Sequence, residues 1–254
     1  MQFLGLIPAR YSSSRFPGKP LADIGGKTMI HRVYEQASLC FEQVYVATDD
    51  DRIQNHVLEF GGKVVMTSSE HNSGTDRCAE AANIINKTEG NRFDIIINIQ
   101  GDEPFIQPDQ LKLVCSCFDD ADTEIASLVK KISNAEELAN PNIPKVILNN
   151  NQEAIYFSRS IIPYLRNVPE DQWYNKHIFF KHIGLYAYRY ETLMKLTKLP
   201  PSTLEIAESL EQIRWIQNGF KIKIAETNTE NLAIDTPDDL EKVRERIKSG
   251  APLK

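Results

Sequence analysis

Residues Ile7 to Leu21 read I-P-A-R-Y-S-S-S-R-F-P-G-K-P-L, placing three cations, Arg10, Arg15 and Lys19, among three serines and a Pro17-Gly18 turn. Small hydroxyl residues and glycine let backbone N–H groups approach an anion while fixed cations neutralise it, so phosphate is the guest this loop suits. A solvated basic loop is the ordinary alternative. Two familiar phosphate signatures do not apply. Gly25-Gly26-Lys27-Thr28 ends as a P-loop ends, but Leu21 stands where that motif needs its first glycine, and the chain contains no G-x-G-x-x-G.

Two acids offer the complementary chemistry. Asp102 stands where the strongest strand signal, Asp94 to Gln100, meets the turn Gly101-Asp102-Glu103-Pro104. Asp235 lies between the apolar Leu232-Ala233-Ile234 and a helix start, Thr236-Pro237-Asp238-Asp239. Hard carboxylate oxygens in such places suit Mg²⁺ shared with a substrate's phosphates. Taken singly, Asp102 is a turn residue and Asp235 an acid ahead of a helix. Taken with the basic loop, they describe a site for a metal-bound nucleoside triphosphate, where positioning and stabilisation of charge on phosphorus oxygens dominate. Lys19 and Arg10 suit that role, and Arg15, nearer the turn, would hold the leaving pyrophosphate.

The elements that must position these groups alternate. Phe3 to Ile7 predicts a buried first strand, and Pro8 to Gly26 a loop far longer than a usual strand-to-helix link. Met29, Ile30, Val33, Tyr34 and Ala37 recur at helical spacing, Gln43 to Thr48 reads as a strand, Asp49 to Phe60 as a helix and Lys63 to Met66 as a strand. Glu70 to Arg77 reads as a polar link into a helix over Cys78 to Asn86, and Pro108 opens a helix to about Phe118. This is an α/β rhythm with a parallel sheet, in which ligands gather beyond the carboxyl ends of strands.

From about 125 to 189 strand-like pieces predominate, at Ile125 to Ile132, Lys145 to Leu148, Ala154 to Phe157 and His182 to Arg189. Asn149-Asn150-Asn151 is the expected hairpin turn, because asparagine tolerates positive φ. This part reads as an insertion that extends the sheet and makes a subunit contact. Trp173, Tyr174, Ile178, Phe179 and Phe180 would either cover the partner or pack a core. Helices are expected over Glu191 to Leu199 and Leu204 to Asn218, then a strand over Lys221 to Glu226.

Composition narrows the class. With 254 residues, 41% hydrophobic and 25% charged, the chain can bury a full core as one domain with an elaboration. A formal charge of −6 argues against nucleic-acid binding through a general basic field. No apolar run approaches membrane-spanning length, and Arg10 interrupts the amino terminus before a signal-peptide core can form. Cys40, Cys78, Cys115 and Cys117 include no C-x-x-C and read as reduced packing residues of a cytoplasmic protein.

The first loop resembles the signature of the CMP-Kdo synthetases, the 3-deoxy-manno-octulosonate (Kdo) cytidylyltransferases. Further blocks carry the likeness: His71-Asn72-Ser73-Gly74-Thr75-Asp76-Arg77, Asn98 through Pro104, Tyr156-Phe157-Ser158-Arg159, His182 through Tyr186, Leu204-Glu205 through Glu211-Gln212, and Asp235-Thr236-Pro237. The resemblance implies a Rossmann-like nucleotidyltransferase fold: a mixed, mostly parallel sheet flanked by helices, with a smaller dimerisation element. It implies one such domain over 1–254 and a homodimer. The implied reaction is CTP plus Kdo giving CMP-Kdo and pyrophosphate, for lipopolysaccharide assembly.

By the same resemblance, Pro8, Ala9, Arg10, Arg15, Lys19, Ser73, Gly74 and Arg77 bind CTP, with Ser73 and Arg77 near the cytosine. Asp102 and Asp235 hold Mg²⁺. Gln100, Arg159, His182, Tyr186 and Glu211 receive the sugar acid, and Arg15 serves triphosphate or sugar. A guanidinium such as Arg159 suits the Kdo carboxylate, and Mg²⁺ on the two acids would activate the anomeric hydroxyl for in-line attack on the α-phosphorus. Without the resemblance, His182 would pass for a core histidine, and Glu205, Glu208 and Glu211 for a solvated helix face.

Nothing in the spacing of Ser73 and Arg77 separates cytosine from uracil. Ala233-Ile234 departs from the family's usual glycine before the aliphatic residue that precedes Asp235, which leaves that loop's shape open. The alternatives are a cytidylyltransferase for amino-Kdo or sialic acid, and a non-catalytic CTP-binding module.

Overall fold

The expected alternation is realised in a computed structural model that describes residues 1–12, 16–90, 93–229 and 232–249. Its strands and α-helices run β1 (Phe3–Ala9), α1 (Met29–Ser38), β2 (Val44–Thr48), α2 (Asp51–Glu59), β3 (Val64–Met66), α3 (Gly74–Thr88), β4 (Ile95–Asn98) and α4 (Pro108–Ser116). Next come β5 (Ile125–Lys131), α5 (Ala135–Ala139), β6 (Lys145–Leu148), β7 (Ala154–Ser158), α6 (Trp173–Lys176) and β8 (Phe180–Arg189). The chain closes with α7 (Tyr190–Leu196), α8 (Thr203–Glu208), α9 (Gln212–Gln217), β9 (Ile222–Glu226) and α10 (Pro237–Ser249). Two compact units result: Met1–Lys112 with Ala187–Thr197 and Thr229–Lys254, and Leu113–Tyr186 with Lys198–Asn228.

In the first unit β1 pairs in parallel with β2 on one edge and with β4 on the other, and β3 pairs with β2. Every residue of β2 and β4 is buried, which is why both read as apolar runs without alternation. Parallel pairing delivers the carboxyl ends of β1, β2, β3 and β4 to one rim. At that rim Gly101 passes close to the first strand, so that a Cβ there would lie 3.0 Å from the Pro8 carbonyl oxygen. Glycine is what lets the Asp102 turn approach β1.

Several boundaries differ from the sequence expectation, each for a local reason. β1 continues through Pro8 and Ala9, and the long loop contains a single 3₁₀ turn at Lys19–Leu21. Gly25-Gly26-Lys27-Thr28 is a surface turn: Asp23 accepts from the Gly26 N–H, Lys27 pairs with Glu35, and Thr28 caps α1. The expected link over 70–77 is partly helix, because the Ser73 hydroxyl accepts the Asp76 N–H at 3.1 Å and starts α3 at Gly74.

In the second unit β5 pairs in parallel with β9, while β6 is antiparallel to both β7 and β8. Asn149 organises the β6–β7 turn by accepting the Asn151 and Glu153 N–H groups on its side chain. The left-handed residue of that turn is Gln152, at φ 59°, and not an asparagine. Trp173 and Phe179 pack with Ile132 and Leu138 in a buried cluster, whereas Ile178 is exposed. Tyr174 packs against that cluster as well, so core packing takes three of the five residues considered for a partner surface.

The single helix expected over Leu204 to Asn218 is two. Ser209 adopts φ 50° and ends α8. The freed carbonyls find a donor in Arg159, whose Nε donates to Glu208 O at 2.6 Å and whose guanidinium reaches Ser209 O at 3.3 Å. The Glu208 carboxylate in turn accepts from the Ser158 hydroxyl and the Arg159 N–H.

Gly101→Ala tests the close approach at the rim. Crowding of this kind costs about 1–3 kcal/mol, to be read as a lower urea midpoint with unchanged m value. A variant as stable as the parent chain would show that the turn does not need glycine.

Candidate active site

Lys19, Asp102 and Asp235 come from three segments of the first unit and meet. The Lys19 ammonium lies 2.7 Å from Asp102 Oδ2 and 3.3 Å from Asp235 Oδ1. Gly18, in the left-handed region at φ 72°, turns the chain into the 3₁₀ segment that presents Lys19, and buried Pro20 anchors it. On the acid side the Ile234 N–H donates to the Asp102 carbonyl at 3.0 Å, so the loop bearing Asp235 is tied to the turn bearing Asp102. Ile234 is itself fully buried with Ile24, Met29, Phe105, Leu240 and Val243.

The start of α10 fixes Asp235 from its other side. Asp239 Oδ2 accepts from the Thr236 hydroxyl at 2.8 Å and from the N–H groups of Thr236 and Asp235 at 3.0 and 3.2 Å. Burial works against the Asp239 charge, but these donors outweigh it and hold its carboxyl below the usual carboxylate range. The reciprocal bond from the Asp239 N–H to the Thr236 hydroxyl completes the cap.

The other residues expected on the nucleotide side, Arg15 apart, occupy the same unit. Pro8 and Ala9 end β1, and Arg10 follows them, exposed. Tyr11 is clamped between Gly18, whose N–H donates to its carbonyl at 2.9 Å, and the Arg52 guanidinium, 3.3 Å from its ring centre. Arg52 also grips both oxygens of Asp50. Arg15 lies outside the described residues. Ser73 and Gly74 form the amino end of α3. Arg77 is buried, donates to Thr67 Oγ1 at 2.6 Å and to Ser68 O at 3.3 Å, and pairs with Asp49. Its guanidinium braces the ends of β2 and β3. Gln100 follows β4 on the same unit's rim.

A divalent cation was expected on Asp102 and Asp235. The donor set fits: two hard carboxylate oxygens already share one cationic group. No cluster of three or more His, Cys, Asp or Glu disposed for a metal occurs among the described residues, so the remaining coordination would come from substrate oxygens, as Mg²⁺ accepts.

The second unit holds the other expected residues. His182 Nε2 lies 3.0 Å from Ser127 Oγ, and its ring meets Phe157 edge-on at 5.0 Å and Tyr186 at 5.3 Å. His182 keeps part of its surface open, yet the dense surroundings push its pKa down to about 4. The Tyr186 phenol, buried against Trp215 at 5.1 Å, is pushed well above its ordinary value by burial and then by the Glu211 charge. Glu211 accepts from buried Arg214 at 2.9 Å. Arg159 directs its guanidinium to the carbonyls of Pro141, Glu208 and Ser209.

Two supporting residues escaped the sequence reading. Ser127 bonds both His182 and the Leu185 carbonyl; its only signal was a hydroxyl within the apolar run Ile125 to Ile132. Arg214 escaped because arginine on a helix usually signals a solvated face.

The depressed His182 pKa has a stability consequence. The unfolded imidazole takes up a proton near 6.5 and the folded one only near 4. This group's contribution is therefore complete above pH 6.5 and lost as pH falls towards 4. Nuclear magnetic resonance titration of His182 should show a midpoint near 4, and His182→Asn should flatten the stability curve between pH 6.5 and 4. A midpoint near 6.5 would contradict the environment described.

A family model described as Cytidylyltransferase matches residues 4–224. The 3-deoxy-manno-octulosonate cytidylyltransferase of Parabacteroides distasonis is 58% identical over 246 residues, covering 95% of this chain and 96% of that one. The protein of the same name from Bacteroides thetaiotaomicron is 57% identical over 252 residues, covering 98% and 99%. A solved structure of CMP:2-keto-3-deoxy-manno-octonic acid synthetase complexed with CTP matches with a TM-score of 0.88 at 44% identity, covering 98% of this chain and 100% of that one. The mixed, mostly parallel sheet with flanking helices is the nucleotidyltransferase fold, and the chain belongs to the cytidylyltransferase family, among the 3-deoxy-manno-octulosonate cytidylyltransferases.

Proposed function

We propose that the chain transfers a cytidylyl group from CTP to Kdo, forming CMP-Kdo and pyrophosphate. One observation carries the reading beyond family membership: two carboxylates from distant segments share the ammonium of a lysine on the basic loop. A site that must handle a polyanion and a counter-cation together needs both signs of charge fixed within contact distance.

In this reading Arg10 and Lys19 neutralise the triphosphate and favour the pyrophosphate as it departs, with Arg15 assigned alongside them. Ser73 and Gly74 bring backbone N–H groups and a hydroxyl at the amino end of α3, and Arg77 holds the strand ends beside them in place. Asp102 and Asp235 would hold Mg²⁺, which when bound screens the phosphate oxygens and favours ionisation of the attacking hydroxyl. The anomeric oxygen of Kdo forms a bond to the α-phosphorus as the bond from that phosphorus to the bridging oxygen breaks; pyrophosphate leaves and the hydroxyl proton passes to solvent.

The sugar acid is assigned to Gln100, Arg159, His182, Tyr186 and Glu211. His182 stays neutral at physiological pH and so orients a hydroxyl by hydrogen bonding rather than by charge. A Kdo carboxylate on Arg159 would share that guanidinium with, or take it from, three backbone carbonyls. The implied homodimer draws support from Ile155, Tyr164 and Ile178, large side chains exposed within 125–189. Four cysteines outside any disulfide suit a cytoplasmic setting. No helix among the described residues is long and apolar enough to cross a membrane.

Pyrophosphate release measured with CTP against Kdo, amino-Kdo and sialic acid tests the reading. Turnover is expected to be best with Kdo; absence of turnover with Kdo alongside turnover with another acid would replace the substrate. Asp102→Asn should cut turnover about 100-fold or more while calorimetry still detects CTP binding. Undiminished turnover in that variant would remove the acid pair from the reaction.

A further inference from the structure

The Lys19 contact with the acid pair is built rather than incidental. The lysine side chain is 15% exposed, and the acids are 31% and 45% exposed. Each partner is held by separate means: Lys19 by the Gly18–Pro20 turn, Asp102 by the Gly101 approach to β1, and Asp235 by buried Ile234 and the Thr236–Asp239 cap. The ammonium therefore sits against the same two carboxylates that would hold a divalent cation.

A dication and an ammonium on shared carboxylates repel each other at contact range, where electrostatic energies are large. Both cannot keep their best positions. Lysine suits the role of a ligand that yields, since its charge is compact and its four-carbon stem rotates freely, whereas a forked guanidinium would hold both carboxylates rigidly. A triphosphate arriving on the basic loop would offer the ammonium another anionic partner within reach.

We infer that Lys19 is a displaceable counter-ion: it keeps Asp102 and Asp235 closed to a bare divalent cation and releases them when a triphosphate binds. The cation then enters with the nucleotide rather than ahead of it. The inference rests on the proposed nucleotidyl-transfer reading, and it adds a binding order and an individual role for Lys19 within it.

The test uses Mn²⁺ alone with the full-length, nucleotide-free protein, and free Mn²⁺ is followed by electron paramagnetic resonance. The parent chain should bind weakly. Lys19→Met, and Lys19→Gln as a second neutral variant, should bind at least tenfold more tightly. Adding Asp102→Asn or Asp235→Asn to either should remove the gain. As an independent readout, Lys19→Met should melt at lower temperature than the parent chain and be restored by Mn²⁺, because the bared carboxylates repel until a cation returns.

If Lys19→Met and Lys19→Gln both bind Mn²⁺ no more tightly than the parent chain, while the acid substitutions still weaken binding, Lys19 does not gate the pair and only this inference fails. If neither acid substitution changes Mn²⁺ binding in any background, the acid pair is not a cation site, and the metal assignment of the proposed function fails with it.

Discussion

Two carboxylates brought side by side repel, and the first unit is organised to hold Asp102 and Asp235 together despite that. Asp102 is delivered by β4, a buried central strand, through a turn that only glycine lets approach β1. Asp235 is delivered more than a hundred residues later by a loop whose backbone is tied to the Asp102 carbonyl. The ammonium of Lys19 supplies the opposite charge. Paired and fixed charges of this kind are costly to assemble, and the cost is met by ordinary apolar packing around Ile234.

The second unit uses polar groups differently. Its buried centre is a hydrogen-bonded set in which neutral partners predominate: Ser127 joins His182 to main-chain carbonyls, and Tyr186 stacks edge-on against Trp215. Charge is met either by an opposite charge, as with Arg214 between Glu205 and Glu211, or by main-chain carbonyls. Lys145, fully buried, donates to the carbonyls of Asn140 and Ile143, and burial lowers its pKa. With Arg159 on Pro141 O, these donors fix the 140–143 segment. Such a network has a fixed geometry, because few of its members are free to turn.

What the sequence made legible follows from how local the signal was. The buried parallel strands, the Asp102 turn and the capped start of α10 each rest on residues within a few positions of one another, and the structure places them where the pattern did. The break at Ser209 could not be seen in that way. Leu204 to Asn218 keeps a helical spacing throughout, and the interruption depends on Arg159, some fifty residues away, accepting the role of capping α8. Gln152 took the left-handed position because Asn149 spent its side chain on the turn's N–H groups. The convergence of Lys19 with the two acids belongs to the same class: the residue types announced it, and only tertiary structure brings them into contact.

The Ala233-Ile234 pair shows where sequence deviation matters and where it does not. A glycine before the aliphatic residue would grant backbone freedom, so its absence raised the question of whether Asp235 still reaches its place. The side chain at 233 is exposed, and the positioning contacts described for Asp235 do not involve it. Ile234 carries them, with a buried side chain on one face and an N–H bond to Asp102 on the other, and Asp239 takes the next two N–H groups. Because position 233 lies outside this chain of restraints, a methyl there leaves the carboxylate in reach of Lys19. Substitution at 234 would instead disturb the core and the acid pair together, since one residue serves both.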